Sequence, residues 1–236
     1  MINYDLLKNE AKKIGLDLDT YGLERFDSYA ERLVRWNEHV NLTAITEPDD
    51  IVIKHFVDSL CVLKYVTMKK NEKLVDIGSG GGFPGLPLLI ANPQLDVNFV
   101  DSVGKKLGFI KDVLRSSGLI GTVTHERAEE LGKNNSHREK YDYATARAVA
   151  PLNTLCEYAL PLVKQGGLFI ALKGPDIQAE LSAAANAIKV LGGEVAKAVE
   201  YKLPNGDNRS LIIIRKISHT PTKYPRKSKK IDTRPL

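Results

Sequence analysis

The chain has 236 residues, 43% hydrophobic and 27% charged, which excludes a disordered or low-complexity protein and allows one large domain with an extension. No apolar run approaches the roughly 18 residues of a membrane span, and the N-terminus carries no basic-then-apolar leader, so a cytoplasmic protein is expected. The net charge of +5 is concentrated between Arg215 and Leu236, where eight bases meet one acid, against 26 bases and 28 acids in the remainder. Such an end is either a solvated extension or a polyanion-binding arm. Cys61 and Cys156 are far apart with apolar neighbours and read as buried thiols in a reducing compartment. The five histidines show no ligand spacing, so no metal is expected.

Residues 1–70 read as helical. Leu23, Phe26, Ala30 and Leu33 fall at helical spacing, with Thr20 as the N-cap. The period breaks in a predicted loop over 36–43. Ile53, Phe56, Leu60 and Leu63 form a further amphipathic helix after Pro48-Asp49-Asp50. On it His55 and Asp58 lie three apart and share a face, as a surface hydrogen bond or as part of a site.

The organising stretch is Asp76-Ile77-Gly78-Ser79-Gly80-Gly81-Gly82-Phe83-Pro84-Gly85, between a strand over 73–77 and a helix over 85–92. Glycines there permit a sharp turn and close backbone approach by a ligand, and the helix start offers free N–H groups. Gly80-x-Gly82-x-x-Gly85 formally fits a dinucleotide fingerprint. The acid-x-Gly-x-Gly-x-Gly run from Asp76 to Gly82 instead resembles motif I of the S-adenosylmethionine (SAM)-dependent methyltransferases. An acid before the first glycine suits a ligand with a cationic amino-acid end and would repel a pyrophosphate. A glycine turn without a ligand is the remaining alternative.

Further strands are expected over 96–101, 122–127, 141–146, 167–173, 194–203 and 210–216, the last two joined by a hairpin turn at Pro204-Asn205-Gly206-Asp207. Helices are expected over 104–117, 129–133, 151–163 and 176–191. The alternation implies an α/β, Rossmann-like, mostly parallel seven-stranded sheet with helices on both faces. Ligands sit at the carboxyl ends of such strands. That nominates Asp101 for ribose hydroxyls or a helix cap, Glu129 for an adenine edge or a first-turn acid, Arg147 after the fourth strand, and Lys173 after the fifth. The Asn/Asp-Pro-Pro-aromatic motif of exocyclic-amine methylation, the Cys-based cytosine-C5 motif and the Walker pattern are absent.

The whole set resembles the glucose-inhibited division protein B family, bacterial methyltransferases that make 7-methylguanosine in small-subunit ribosomal RNA. The matching segments include Asn41-Leu42-Thr43-Ala44-Ile45, His55-Phe56-Val57-Asp58-Ser59-Leu60, the glycine loop, Arg127-Ala128-Glu129-Glu130, Ala146-Arg147-Ala148-Val149-Ala150-Pro151 and Tyr224-Pro225-Arg226-Lys227. The chain departs from the family after Lys227, where Ser228-Lys229-Lys230-Ile231 replaces a small residue, a glycine and a proline. The resemblance implies SAM contacts at Gly78, Phe83, Asp101, Ala128, Glu129 and Arg147, with Asp76 and Gly80 completing the loop motif. It places Asn41, His55 and Asp58 on the RNA side, with Arg147, Lys173, Arg209 and Arg226 as RNA contacts. His55 and Asp58 are candidates only for catalysis. The expected organisation is a helical extension (1–70), a SAM-binding domain (71–217) and a basic tail (218–236). The expected protein is a monomer acting on ribosomal RNA or the small subunit, with neither membrane nor metal. A small-molecule SAM methyltransferase and a SAM-holding RNA-binding module without turnover are the rival readings.

Overall fold

The computed structural model describes all residues, 1–236. Helix α1 (Tyr4–Lys13) and helix α2 (Thr20–Asn37) open the chain. The N-cap of α2 is Asp19, not Thr20: its carboxylate accepts from the Gly22 N–H at 2.7 Å. The helix also runs two residues into the predicted loop, because Trp36 packs on Phe109 and donates to Asp112. The stretch from α3 (Pro48–Ile51) to α4 (Asp58–Leu60) is continuous, widened to a π-helical turn over Val52–Val57 and tightened to a 3₁₀ turn over Cys61–Lys64. Phe26, Leu33, Phe56 and Leu60 are fully buried, so the extension is one wall of the core.

Seven strands follow: β1 (Lys73–Ile77), β2 (Asp96–Asp101), β3 (Thr122–His125), β4 (Tyr141–Arg147), β5 (Val163–Lys173), β6 (Gly193–Lys202) and β7 (Asn208–Lys216). Their order is β3-β2-β1-β4-β5-β7-β6, parallel from β3 to β5, with β7 antiparallel to both neighbours. The topological switch point lies between β1 and β4. Connecting helices are α5 (Gly85–Ala91), α6 (Gly104–Ser117), α7 (Ala128–Leu131), α8 (Leu152–Ala159) and α9 (Ile177–Val190). Helix α8 stops short of its predicted end because Pro161 cannot continue a helix, and β5 begins at Val163, paired with Tyr141. Strand β3 stops at His125, where its only neighbour β2 ends at Asp101.

The basic segment is not a solvated tail. Tyr224 and Ile231 are buried, and helix α10 (Ser228–Thr233) packs on α8. Arg138 donates to the carbonyls of Thr220 and Tyr224 at 2.7 and 2.8 Å. The fully buried Lys216 ammonium holds Glu139 at 3.1 Å, and Glu139 in turn accepts from the Thr220 N–H.

Candidate functional site

The turn after β1 is shaped by its glycines. Gly78 has φ +63°, and an added Cβ there would lie 2.6 Å from Val149 Cγ2. Gly82 has φ +89°, and its Cβ would meet Leu86 and the Tyr29 hydroxyl. Asp101, ending β2, braces the loop: one oxygen accepts from the Gly80 N–H at 2.9 Å, the other from the Val103 N–H at 2.8 Å. Asp76 lies behind the loop, fully buried, accepting from the Thr145 hydroxyl at 2.8 Å and the Gly85 N–H at 3.3 Å. Burial pushes its carboxyl up to about 7, against the lowering effect of those bonds.

A cavity of about 290 Å³ opens at the ends of β1, β2 and β3. Gly78, Ile77 and Val100 line its start, Asp101 its middle, and Ala128 and Glu129 its far side, with Tyr158 and Asp232 closing that end. Carboxylates facing a partly apolar slot suit a cationic ligand bearing a ribose.

A second recess of about 290 Å³ lies past residues 147–150. Arg147 and Ala148 line the recess, whereas Val149 and Ala150 line the cavity. The π-helical turn aims His55 and Asp58 together at Arg147. The Arg147 guanidinium donates to Asp58 at 3.1 Å, to the Lys54 carbonyl at 3.1 Å and to His55 Nδ1 at 2.9 Å. It lies 4.5 Å from the Phe83 ring centroid, and His55 stacks on the same ring at 4.3 Å. His55 Nε2 is bound to the Thr43 hydroxyl at 2.8 Å. Since Nδ1 accepts from Arg147, Nε2 carries the proton and donates to Thr43. Burial, then the Arg147 charge, lowers the His55 pKa to about 3. Asp58 is also fully engaged, accepting from the Tyr201 hydroxyl at 2.7 Å. Lys173 and Arg209 complete a cationic rim. Lys173 bridges the Ala150 carbonyl and Glu180, and Arg209 pairs with Asp207.

The predicted residues therefore divide. Gly78, Asp101, Ala128 and Glu129 line the cavity; Asp76 and Gly80 shape its loop. Arg147 faces the recess, with Phe83 beneath it and outside the cavity lining. Asn41 is exposed on the loop after α2 and lines neither space. Arg226 is not a free phosphate contact: its guanidinium grips the fully buried Glu157, with its shortest bond at 2.6 Å. Sequence reasoning missed Tyr29, Asn37, Thr43, Tyr158, Tyr201 and Asp232. Tyr29 falls on the same helical face as Phe26 and Leu33, so its burial was readable, though its hydroxyl bond to the Gly81 carbonyl was not. Asn37 shapes the recess loop by accepting from the Leu42 and Thr43 N–H groups.

No cluster of His, Cys, Asp or Glu side chains is arranged to hold a metal ion, and no helix is long and apolar enough to cross a membrane. The family model described as "GidB: rRNA small subunit methyltransferase G" matches residues 22–212. A curated relative from Alkaliphilus metalliredigens, named "Ribosomal RNA small subunit methyltransferase G", is 46% identical over 224 residues, covering 94% of each chain. One of the same name from Alkaliphilus oremlandii is 44% identical over 235 residues, covering 98% of each. Among solved structures, precorrin-6y C5,15-methyltransferase from Geobacter metallireducens aligns with TM-score 0.51 at 15% identity, over 77% of this chain and 96% of that one. A branched-chain polyamine synthase mutein from Thermus thermophilus aligns with TM-score 0.58 at 10% identity, over 82% of this chain and 64% of that one. At such identities these two establish the fold alone, which hosts more than one chemistry.

Proposed function

Because the chain belongs to the GidB family of small-subunit ribosomal RNA methyltransferases, we propose that it moves a methyl group from SAM to N7 of a guanosine in that RNA. One observation carries the reading: a carboxylate-lined cavity and a cation-rimmed recess meet at the four residues 147–150, at the sheet's switch point. The cavity fits SAM, whose net charge is positive, through the bare backbone at Gly78 and the acids Asp101 and Glu129. The recess fits the RNA side, with Lys54, Lys173 and Arg209 near phosphate and the Arg147–Phe83 stack as a platform for a base.

SAM, when bound, supplies a methyl carbon activated by its sulfonium. Guanine N7 has an in-plane lone pair and no proton. With SAM bound, the N7–methyl bond would form as the methyl–sulfur bond broke, the positive charge would pass to the base, and no proton would leave. The chain's task is then alignment. His55 fits that task, since both ring nitrogens are engaged and neither is free to take a proton. In A-form RNA the groove exposing N7 is too narrow for side chains, so the acceptor is an unpaired or extruded guanine.

The test is methyl transfer from radiolabelled SAM by the purified chain, with free small-subunit RNA and assembled small subunits as separate acceptors. Label is expected as 7-methylguanosine. Label on another atom would refute the N7 assignment. Cofactor binding without transfer to either acceptor would favour a non-catalytic RNA-binding module, and transfer only to small molecules would favour the other rival.

A further inference from the structure

Helix α8 presents two consecutive residues to the C-terminal segment. Glu157 clamps Arg226, and Tyr158 donates its hydroxyl to Asp232 at 3.0 Å. The segment is fixed on both sides of that contact: before it Ile231 is fully buried and Arg127 donates to the Ser228 hydroxyl at 3.2 Å, and after it the Arg234 carbonyl accepts from Arg226 at 3.0 Å. Tyr158 and Asp232 thereby wall the cavity at the end away from the glycine loop.

We propose that Tyr158 and Asp232 form the subsite for the exocyclic amine of the cofactor's adenine, so that the C-terminal segment is part of the cofactor site. The inference rests on the methyltransferase reading above. The cavity runs across the ends of β1, β2 and β3, from Gly78 past Asp101 to Ala128 and Glu129. A nucleoside with its ribose at Asp101 must extend its base toward β3 and α10. The Tyr158 proton is committed to one Asp232 oxygen, and the other Asp232 oxygen meets only the Ser228 hydroxyl at 3.4 Å. The edge is thus rich in acceptors. A 6-amino group brings two N–H donors to it; a 6-oxo group would set acceptor against acceptor.

The experiment is calorimetric titration of the full chain with S-adenosylhomocysteine and with its 6-oxo analogue, S-inosylhomocysteine. The wild type is expected to bind the adenosyl compound at least roughly tenfold more tightly, the cost of leaving one charged partner unmatched. Asp232→Asn, whose amide can turn its NH₂ toward a 6-oxo group, is expected to shrink that preference several-fold with an unchanged melting temperature. A purely structural Asp232 would weaken both ligands equally and leave their ratio intact, which would overturn the proposal. If Asp232→Asn does not fold, Tyr158→Phe carries the test: a several-fold loss of S-adenosylhomocysteine affinity supports the subsite, and unchanged affinity overturns it. A wild type that binds neither compound would instead bring down the methyltransferase reading, and this inference with it.

Discussion

Two single residues make opposite uses of burial. Burial, then the Arg147 charge, lowers the His55 pKa to about 3 and so favours its neutral form. The single-turnover methyl-transfer rate is therefore expected to stay flat from about pH 6.5 to 8.5, where an unperturbed histidine base would make it rise. His55→Ala should cost less than the roughly 10²-fold expected from losing general-base catalysis. A rate climbing tenfold per pH unit below about pH 7 in the wild type, and flat in His55→Ala, would make His55 the base after all. Asp76 shows the other case. Its carboxyl is raised from 3.8 to about 7, so the folded chain keeps a proton that the unfolded chain has lost between those values. Stability from this group is full below about pH 3.8 and declines as pH rises to about 7, by a few kcal/mol at roughly 1.4 per pH unit. Asp76→Asn, neutral throughout, should flatten that part of the pH profile. Urea melts at about pH 5 and pH 7.5 compare the two slopes, and identical slopes would mean that Asp76 ionises freely in the fold.

Helix α2 connects the extension to the glycine loop. The Tyr29 hydroxyl donates to the Gly81 carbonyl while its ring packs among Phe56, Phe83 and Phe109. Arg32 and Trp36 pin the same helix to Asp112 on α6. Tyr29→Phe keeps the ring and removes one bond, so it should cost about 1 kcal/mol of stability and several-fold in SAM affinity. Unchanged affinity would make the helix a bystander to the loop. Elements of this kind were legible where their ends are chemically marked. β1 ends at the glycine loop, and α6 ends at Gly118, left-handed at φ +61°, both as the sequence implies. Ends set by a distant neighbour were not legible: β3 stops with β2, which local composition does not encode. The candidate site was half legible for the same reason. Asp101 and Arg147, at strand ends, follow from topology, and so does Glu129, in the first turn of the short helix beyond β3. Tyr158 and Asp232 meet across 74 residues and needed the fold.

At the scale of the whole molecule, the largest revision concerns charge. The run of bases between Arg215 and Leu236 reads as a solvated extension or a polyanion-binding arm, but Arg226 pairs with the buried Glu157 on α8 and the buried Lys216 pairs with Glu139. Removing the chain beyond Lys216 would leave Glu157 buried and unpaired, which costs on the order of 3–5 kcal/mol. It also strips one wall from the cavity proposed for SAM. The truncated chain is expected to melt about 10 °C lower or more and to lose SAM affinity along with RNA affinity. Full SAM affinity in that truncation would restore the segment to a solvated arm. By contrast, Arg209→Ala removes a charge at the rim of the recess alone, so RNA affinity should fall with a salt slope smaller by about one and SAM affinity unaltered. An unchanged salt slope would take Arg209 out of the RNA contact. The four residues 147–150 face both chambers, two on each side. If the cavity takes the cofactor and the recess the RNA, as proposed above, a shift of this partition toward one guest changes the room offered to the other. The two affinities are then reciprocal: whatever factor the bound cofactor lends to RNA, RNA lends to the cofactor. On the reading proposed above, exchanging SAM for its demethylated product changes the guest on one side of that partition, and any effect this has on the grip on modified RNA is matched by an equal effect of the RNA on the cofactor.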